Sequence, residues 1–190
     1  MAKVVYIIPG FTGNTRLEGY QRVMKYFKSQ DIRSIPVNIS WKYKTMSDYI
    51  KQFMNQYKET RDEVYLFGFS YGAMIALISS IKINPRKLFL CSLSPFFKED
   101  LRYLKKSWKK RYGKKRLEDF KNFSFNDIAK QIKCEVVLFA GNKEYQDVLR
   151  RVDDASRKFK NNKLIIAKGA RHNILQDEYS QTLKQYISKL

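Results

Sequence analysis

Six short apolar runs, separated by turns and by segments of helical periodicity, most restrict what this chain can fold into. Lys3–Ile8, Ile32–Ile39, Glu63–Phe67, Lys87–Leu93, Glu135–Ala140 and Lys163–Ala167 have the length and composition of strands. Val136-Val137-Leu138-Phe139 shows no polar alternation, the pattern of a strand covered on both faces. Between these runs lie Leu17–Ser29, with Val23, Met24 and Phe27 on one face, and Ser47–Lys58, where Tyr49, Ile50, Phe53, Met54 and Tyr57 recur at helical spacing. Tyr71–Ile81 is apolar almost all round, and Asp147–Phe159 and Gln176–Leu190 complete the helical segments. Strands alternating with helices predict an α/β, three-layer sandwich: about six mainly parallel strands with helices on both faces. With 190 residues, 44% of them hydrophobic, the chain can bury one sizeable core, and a single domain over residues 1–190 is expected.

The alternation breaks between the fourth and fifth strands. Residues 95–133 read as a basic helical insertion that forms a cap. Between Lys98 and Lys121 there are eleven Lys/Arg and four Asp/Glu. Leu101, Leu104, Trp108 and Tyr112 fall at i, i+3, i+7 and i+11, which predicts one apolar stripe on one basic helix.

Composition narrows the remaining possibilities. The net charge of +20 allows an anionic partner, but the lysines are spread along the whole chain, as a solvated surface would have them. No nucleic-acid-binding signature accompanies the charge. Cys91 and Cys134 each lie in or beside an apolar run and read as buried hydrophobes, and with a single histidine no metal site is expected. No apolar run approaches the roughly 18–20 residues of a membrane-spanning helix. Val4–Ile8 is too short for the core of a signal peptide, so the cytoplasm is the expected location.

Chemistry concentrates at strand ends. Gly68-Phe69-Ser70-Tyr71-Gly72 follows the third strand and opens a helix. A serine on so tight a turn is exposed at the top of a sheet, and the helix start offers free N–H groups to a developing oxyanion. Ser70 is the expected nucleophile and the Tyr71 amide one oxyanion donor. Pro9-Gly10-Phe11-Thr12-Gly13-Asn14 follows the first strand, and its Phe11 amide is the second candidate donor. His172, the only histidine, follows the last strand and has the proton affinity of a general base near neutrality. Gly141-Asn142-Lys143-Glu144 follows the fifth strand; Glu144 is the candidate acid, with Asp147 as the alternative.

Taken in order, the Gly-rich turn, the serine elbow, the acid and the histidine resemble the α/β-hydrolase family over essentially the whole chain. The resemblance implies a sheet that begins at what corresponds to the family's third strand, with the insertion where the family carries its lid. It also implies a serine hydrolase that cleaves a carboxylic ester or thioester through an acyl-serine intermediate, with no cofactor. Two positions depart from the usual pattern: Pro9-Gly10 stands where many members have His-Gly, and Glu144 where Asp is commoner. Phe96, Phe97 and Trp108, with Tyr103, are candidate substrate-binding residues for a small-molecule acyl ester. The alternative is a non-catalytic binding protein on the same scaffold, meeting an anionic membrane or other anionic partner through its basic insertion.

Overall fold

The computed structural model describes residues 1–190. Six strands form one parallel sheet in the order β2-β1-β3-β4-β5-β6: β1 (Lys3–Ile8), β2 (Ile32–Pro36), β3 (Glu63–Phe69), β4 (Lys87–Cys91), β5 (Glu135–Gly141) and β6 (Asn162–Ala167). The helices are α1 (Glu18–Lys28), α2 (Met46–Gln56), α3 (Tyr71–Ile83), α4 (Lys106–Phe120), α5 (Phe125–Gln131), α6 (Gln146–Lys158) and α7 (Asp177–Ile187). This is the expected α/β sandwich, with every strand pair parallel.

Strand geometry divides the core in two. Successive side chains point to opposite faces, so Val4, Tyr6 and Ile8 of β1 join α2 to α6 on one face, while Val5 and Ile7 meet α1 and α7 on the other. β3 divides likewise: Val64 and Leu66 go one way, Tyr65, Phe67 and Phe69 the other. These central strands lack polar alternation because both of their faces are covered. α3 is apolar all round because it lies between the sheet and the outer helices, with nine of its residues buried.

Two expectations need correction. The second strand stops at Pro36 rather than Ile39: the Val37 amide makes a last bond to the Ile7 carbonyl at 3.0 Å, and its partner β1 itself ends at Ile8. The basic stripe is not one helix. Leu101–Tyr103 is a short 3₁₀ turn, Leu104 is extended, and α4 begins only at Lys106. α4 is itself broken at Gly113, whose φ of 77° lies in the left-handed region glycine adopts readily. The apolar side chains still converge: Leu104 is buried, and Leu101, Trp108 and Tyr112 pack against the larger core. No helix is long and apolar enough to cross a membrane.

The insertion is tied down by its acids. Asp100 and Arg151 of α6 form a buried, two-pronged ion pair, with Nε–Oδ2 at 2.9 Å and Nη2–Oδ1 at 2.5 Å. Glu99 accepts hydrogen bonds from the Ser124 hydroxyl and the backbone N–H groups of Phe125 and Asn126 at the start of α5. Asp119 accepts from the Ser47 hydroxyl and amide at the start of α2.

Candidate active site

The carboxyl ends of β3, β4, β5 and β6 bring together residues far apart in sequence. Ser70 caps α3 with φ 57° and ψ −116°, a conformation that costs a non-glycine residue about 1–3 kcal/mol. Its surroundings hold it there. The Ser70 amide donates to the Cys91 carbonyl at 2.8 Å, and the Ser70 carbonyl accepts from the Ala73 amide at 3.0 Å. The two flanking glycines are required by contact. A Cβ on Gly68 would lie 2.1 Å from the Gly72 carbonyl oxygen, and one on Gly72 would lie 2.2 Å from that of Ile8.

His172 Nε2 lies 2.9 Å from Ser70 Oγ, and His172 Nδ1 lies 2.6 Å from Glu144 Oε2. The carboxylate can only accept, so Nδ1 carries the proton and Nε2 faces the serine as an acceptor. Of the two candidate acids, Glu144 reaches the imidazole, whereas Asp147 pairs with Arg150 at 3.0 Å. Glu144 is buried, and its other oxygen accepts from the Ser92 hydroxyl at 2.5 Å and, more distantly, from the Gly141 amide at 3.5 Å. The Tyr179 hydroxyl of α7 lies 2.8 Å from Ser92 Oγ, which has already given its proton to Glu144. Burial pushes the Tyr179 phenol well above its ordinary value, keeping it a neutral donor.

Sequence reasoning missed Ser92, Ser94 and Tyr179. Ser94 Oγ lies 3.1 Å from Ser70 Oγ, in a buried position. The available signal was Cys91-Ser92-Leu93-Ser94 at the carboxyl end of a strand, where two hydroxyls have no role in the core.

The amides of Phe11 and Tyr71 form no hydrogen bond within the protein. The loop that carries Phe11 is braced without the usual His-Gly: the Gly10 amide donates to the Tyr20 hydroxyl at 2.7 Å, and Trp41 Nε1 to the Gly13 carbonyl at 2.8 Å. Phe11 itself packs on Tyr71 and Trp41.

A cleft of about 440 Å³ opens over Ser70, lined by both sides of this loop, by Phe96, Leu104, Trp108, Arg111 and Tyr112 of the insertion, and by Tyr145, His172 and Leu175. Phe96 and Trp108 are therefore on its wall. Phe97 is not. It is fully buried against Phe125 and the Arg151 guanidinium. Tyr103 also lies outside the cleft, half-exposed beneath the guanidinium groups of Arg102 and Arg150. Both cysteines are free thiols; burial raises Cys91 well above its ordinary value and Cys134 to about 11. No group of His, Cys, Asp and Glu side chains is arranged to hold a metal ion.

Solved structures resemble this architecture throughout. Est1E from Butyrivibrio proteoclasticus, in a structure with ferulic acid bound, is 13% identical, with a TM-score of 0.81 over 98% of this chain and 87% of its own. Alpha/beta hydrolase domain-containing protein 10 from mouse is 15% identical, with a TM-score of 0.74 over 100% and 89%. The esterase EaEST from Exiguobacterium antarcticum is 14% identical, with a TM-score of 0.70 over 97% and 91%. No family model and no curated protein matches the sequence. The chain has the α/β-hydrolase fold.

Proposed function

We propose that this protein is a serine hydrolase that cleaves a carboxylic ester or thioester through an acyl-Ser70 intermediate. The observation that carries the reading is the continuous hydrogen-bonded chain Glu144–His172–Ser70, with links of 2.6 and 2.9 Å. Geometry of this kind, rather than fold, is the ground for assigning a reaction. The esterases among the structural neighbours agree with it.

Ser70 Oγ attacks the carbonyl carbon as its proton passes to His172 Nε2. Glu144 holds the ring by its Nδ1–H and stabilises the imidazolium. The carbonyl oxygen becomes an oxyanion that the free amides of Phe11 and Tyr71 receive, each worth about 2.7–4 kcal/mol in such sites. Collapse expels the alcohol or thiol, protonated by His172, and leaves acyl-Ser70. Water then attacks the acyl carbon with His172 as base, and Ser70 Oγ departs with the proton returned. Residues 95–133 act as the cap, and its aromatic wall of Phe96 and Trp108 favours an apolar acyl or aryl group.

Labelling with a fluorophosphonate tests the reading. Stoichiometric labelling of the wild type, lost in Ser70→Ala and His172→Ala proteins that keep the native circular dichroism, is the expected result. A folded wild type that takes up no probe and hydrolyses no acyl ester or thioester would overturn it.

A further inference from the structure

The charge on the insertion is not balanced within the protein. Its five acids are all engaged away from the first half of α4: Glu99 at α5, Asp100 with Arg151, Glu118 with Lys121, Asp119 at α2, and Asp127 with Lys130. The lysines between residues 105 and 115 have no ion-pair partner, and neither has Arg111 in their midst. Arg111 is the member of this group that lines the cleft.

The other formal charges on the cleft wall are spent. Asp147 is paired with Arg150, and His172 with Glu144. A largely apolar cleft beside the nucleophile thus has one uncompensated cation in its lining, on a helix whose neighbouring lysines add a field of the same sign. Trp108, three residues before Arg111, and Tyr112, the residue after it, pack on Phe96, tilted and edge-on respectively, which fixes the turn that carries it. A guanidinium offers forked N–H donors that suit a carboxylate or phosphate, and Arg111 presents them at the solvent-exposed rim of the cleft.

We propose that the cleft takes an ester bearing an oxyanion, carboxylate or phosphate, remote from the scissile bond, and that Arg111 binds this anion and sets the preference for it. The proposal rests on the serine-hydrolase reading of the same cleft.

The test compares an aryl monoester of glutaric acid, with a free carboxylate, against its neutral methyl-capped analogue. In wild type the anionic ester has a kcat/KM higher by about tenfold, mostly through KM, and the ratio falls as salt rises. Arg111→Gln brings the ratio close to one, and Arg111→Lys retains part of it. A ratio near one in wild type, or one unchanged in Arg111→Gln, overturns the proposal. If neither ester is hydrolysed, the hydrolase reading fails separately, and calorimetric binding of both esters to folded Ser70→Ala protein then decides. Tighter binding of the anionic ester, lost when Arg111→Gln is added, sustains the site, and equal binding refutes it. Co-sedimentation with phosphatidylglycerol vesicles against phosphatidylcholine vesicles separates the source of the anion. Retention on anionic vesicles without any preference between the soluble esters assigns the charge to a lipid surface and overturns a small-molecule site.

Discussion

Ser92 donates its hydroxyl proton to Glu144 Oε1 across 2.5 Å, so the carboxylate that orients His172 is itself oriented from the end of the neighbouring strand. A hydrogen bond to a charged group is worth about 1.5–3 kcal/mol, or about ten- to a hundredfold in rate where the charge matters most in the transition state. Ser92→Ala is expected to lower kcat by this factor while KM stays within about twofold, whereas Glu144→Gln costs more. Steady-state kinetics on one ester checks both.

Ser70 has one proton and gives it to His172 Nε2, so the 3.1 Å contact with Ser94 requires Ser94 to donate to Ser70 Oγ. That donor also faces the oxygen that departs when the acyl-enzyme breaks down. Ser94→Ala should slow deacylation more than acylation, so that a rapid-quench burst becomes larger and its steady phase slower. Equal slowing of both phases would reduce Ser94 to a packing role.

Gly72→Ala should abolish folding rather than merely activity, since its Cβ would sit 2.2 Å from a backbone oxygen of β1 that cannot move without breaking the sheet. Expression in inclusion bodies, or loss of the cooperative thermal transition, is the expected readout.

Removing one partner of the buried Asp100–Arg151 pair strands the other charge, which costs about 3–5 kcal/mol. Asp100→Asn should therefore lower Tm by more than Asp100→Leu combined with Arg151→Met, where both charges are gone. Paired thermal melts at neutral pH decide the order.

Burial opposes ionisation of Glu99, yet the donors at the start of α5 outweigh it and hold its carboxyl below the ordinary 4.5. A group depressed in the folded state stabilises above its unfolded value and loses that contribution as pH falls through the folded one. Glu99→Gln should lower Tm at pH 7, and the gap to wild type should close progressively below about pH 4.5.

The strand segments and the serine elbow were legible because both are local: apolar runs mark buried strands, and a glycine on each side of Ser70 marks a turn where strand and helix nearly touch. The choice between Glu144 and Asp147 was not local. Both follow β5, and only the path of the chain after Gly141 decides which carboxylate meets the imidazole. The insertion was misread because periodicity counts residues without seeing breaks; Leu101 and Leu104 keep helical spacing with Trp108 although the backbone between them is extended. Phe97 was misplaced because residue type does not tell two adjacent phenylalanines apart: Phe96 lines the cleft with Ser94 and Pro95, while Phe97 turns in to meet Phe125 and Arg151.

β6 pairs with β5 alone, and its loop carries His172. A growing polypeptide therefore acquires the candidate nucleophile and acid well before the base, which arrives with the last strand to join the sheet. α7 secures this late piece, its Tyr179 reaching under the sheet's end to Ser92. Chains cut short before residue 172 would lack both the candidate base and the α7 side chains Tyr179, Leu183 and Ile187 that cover one face of the sheet, so activity would report that the final edge has been laid down and sealed.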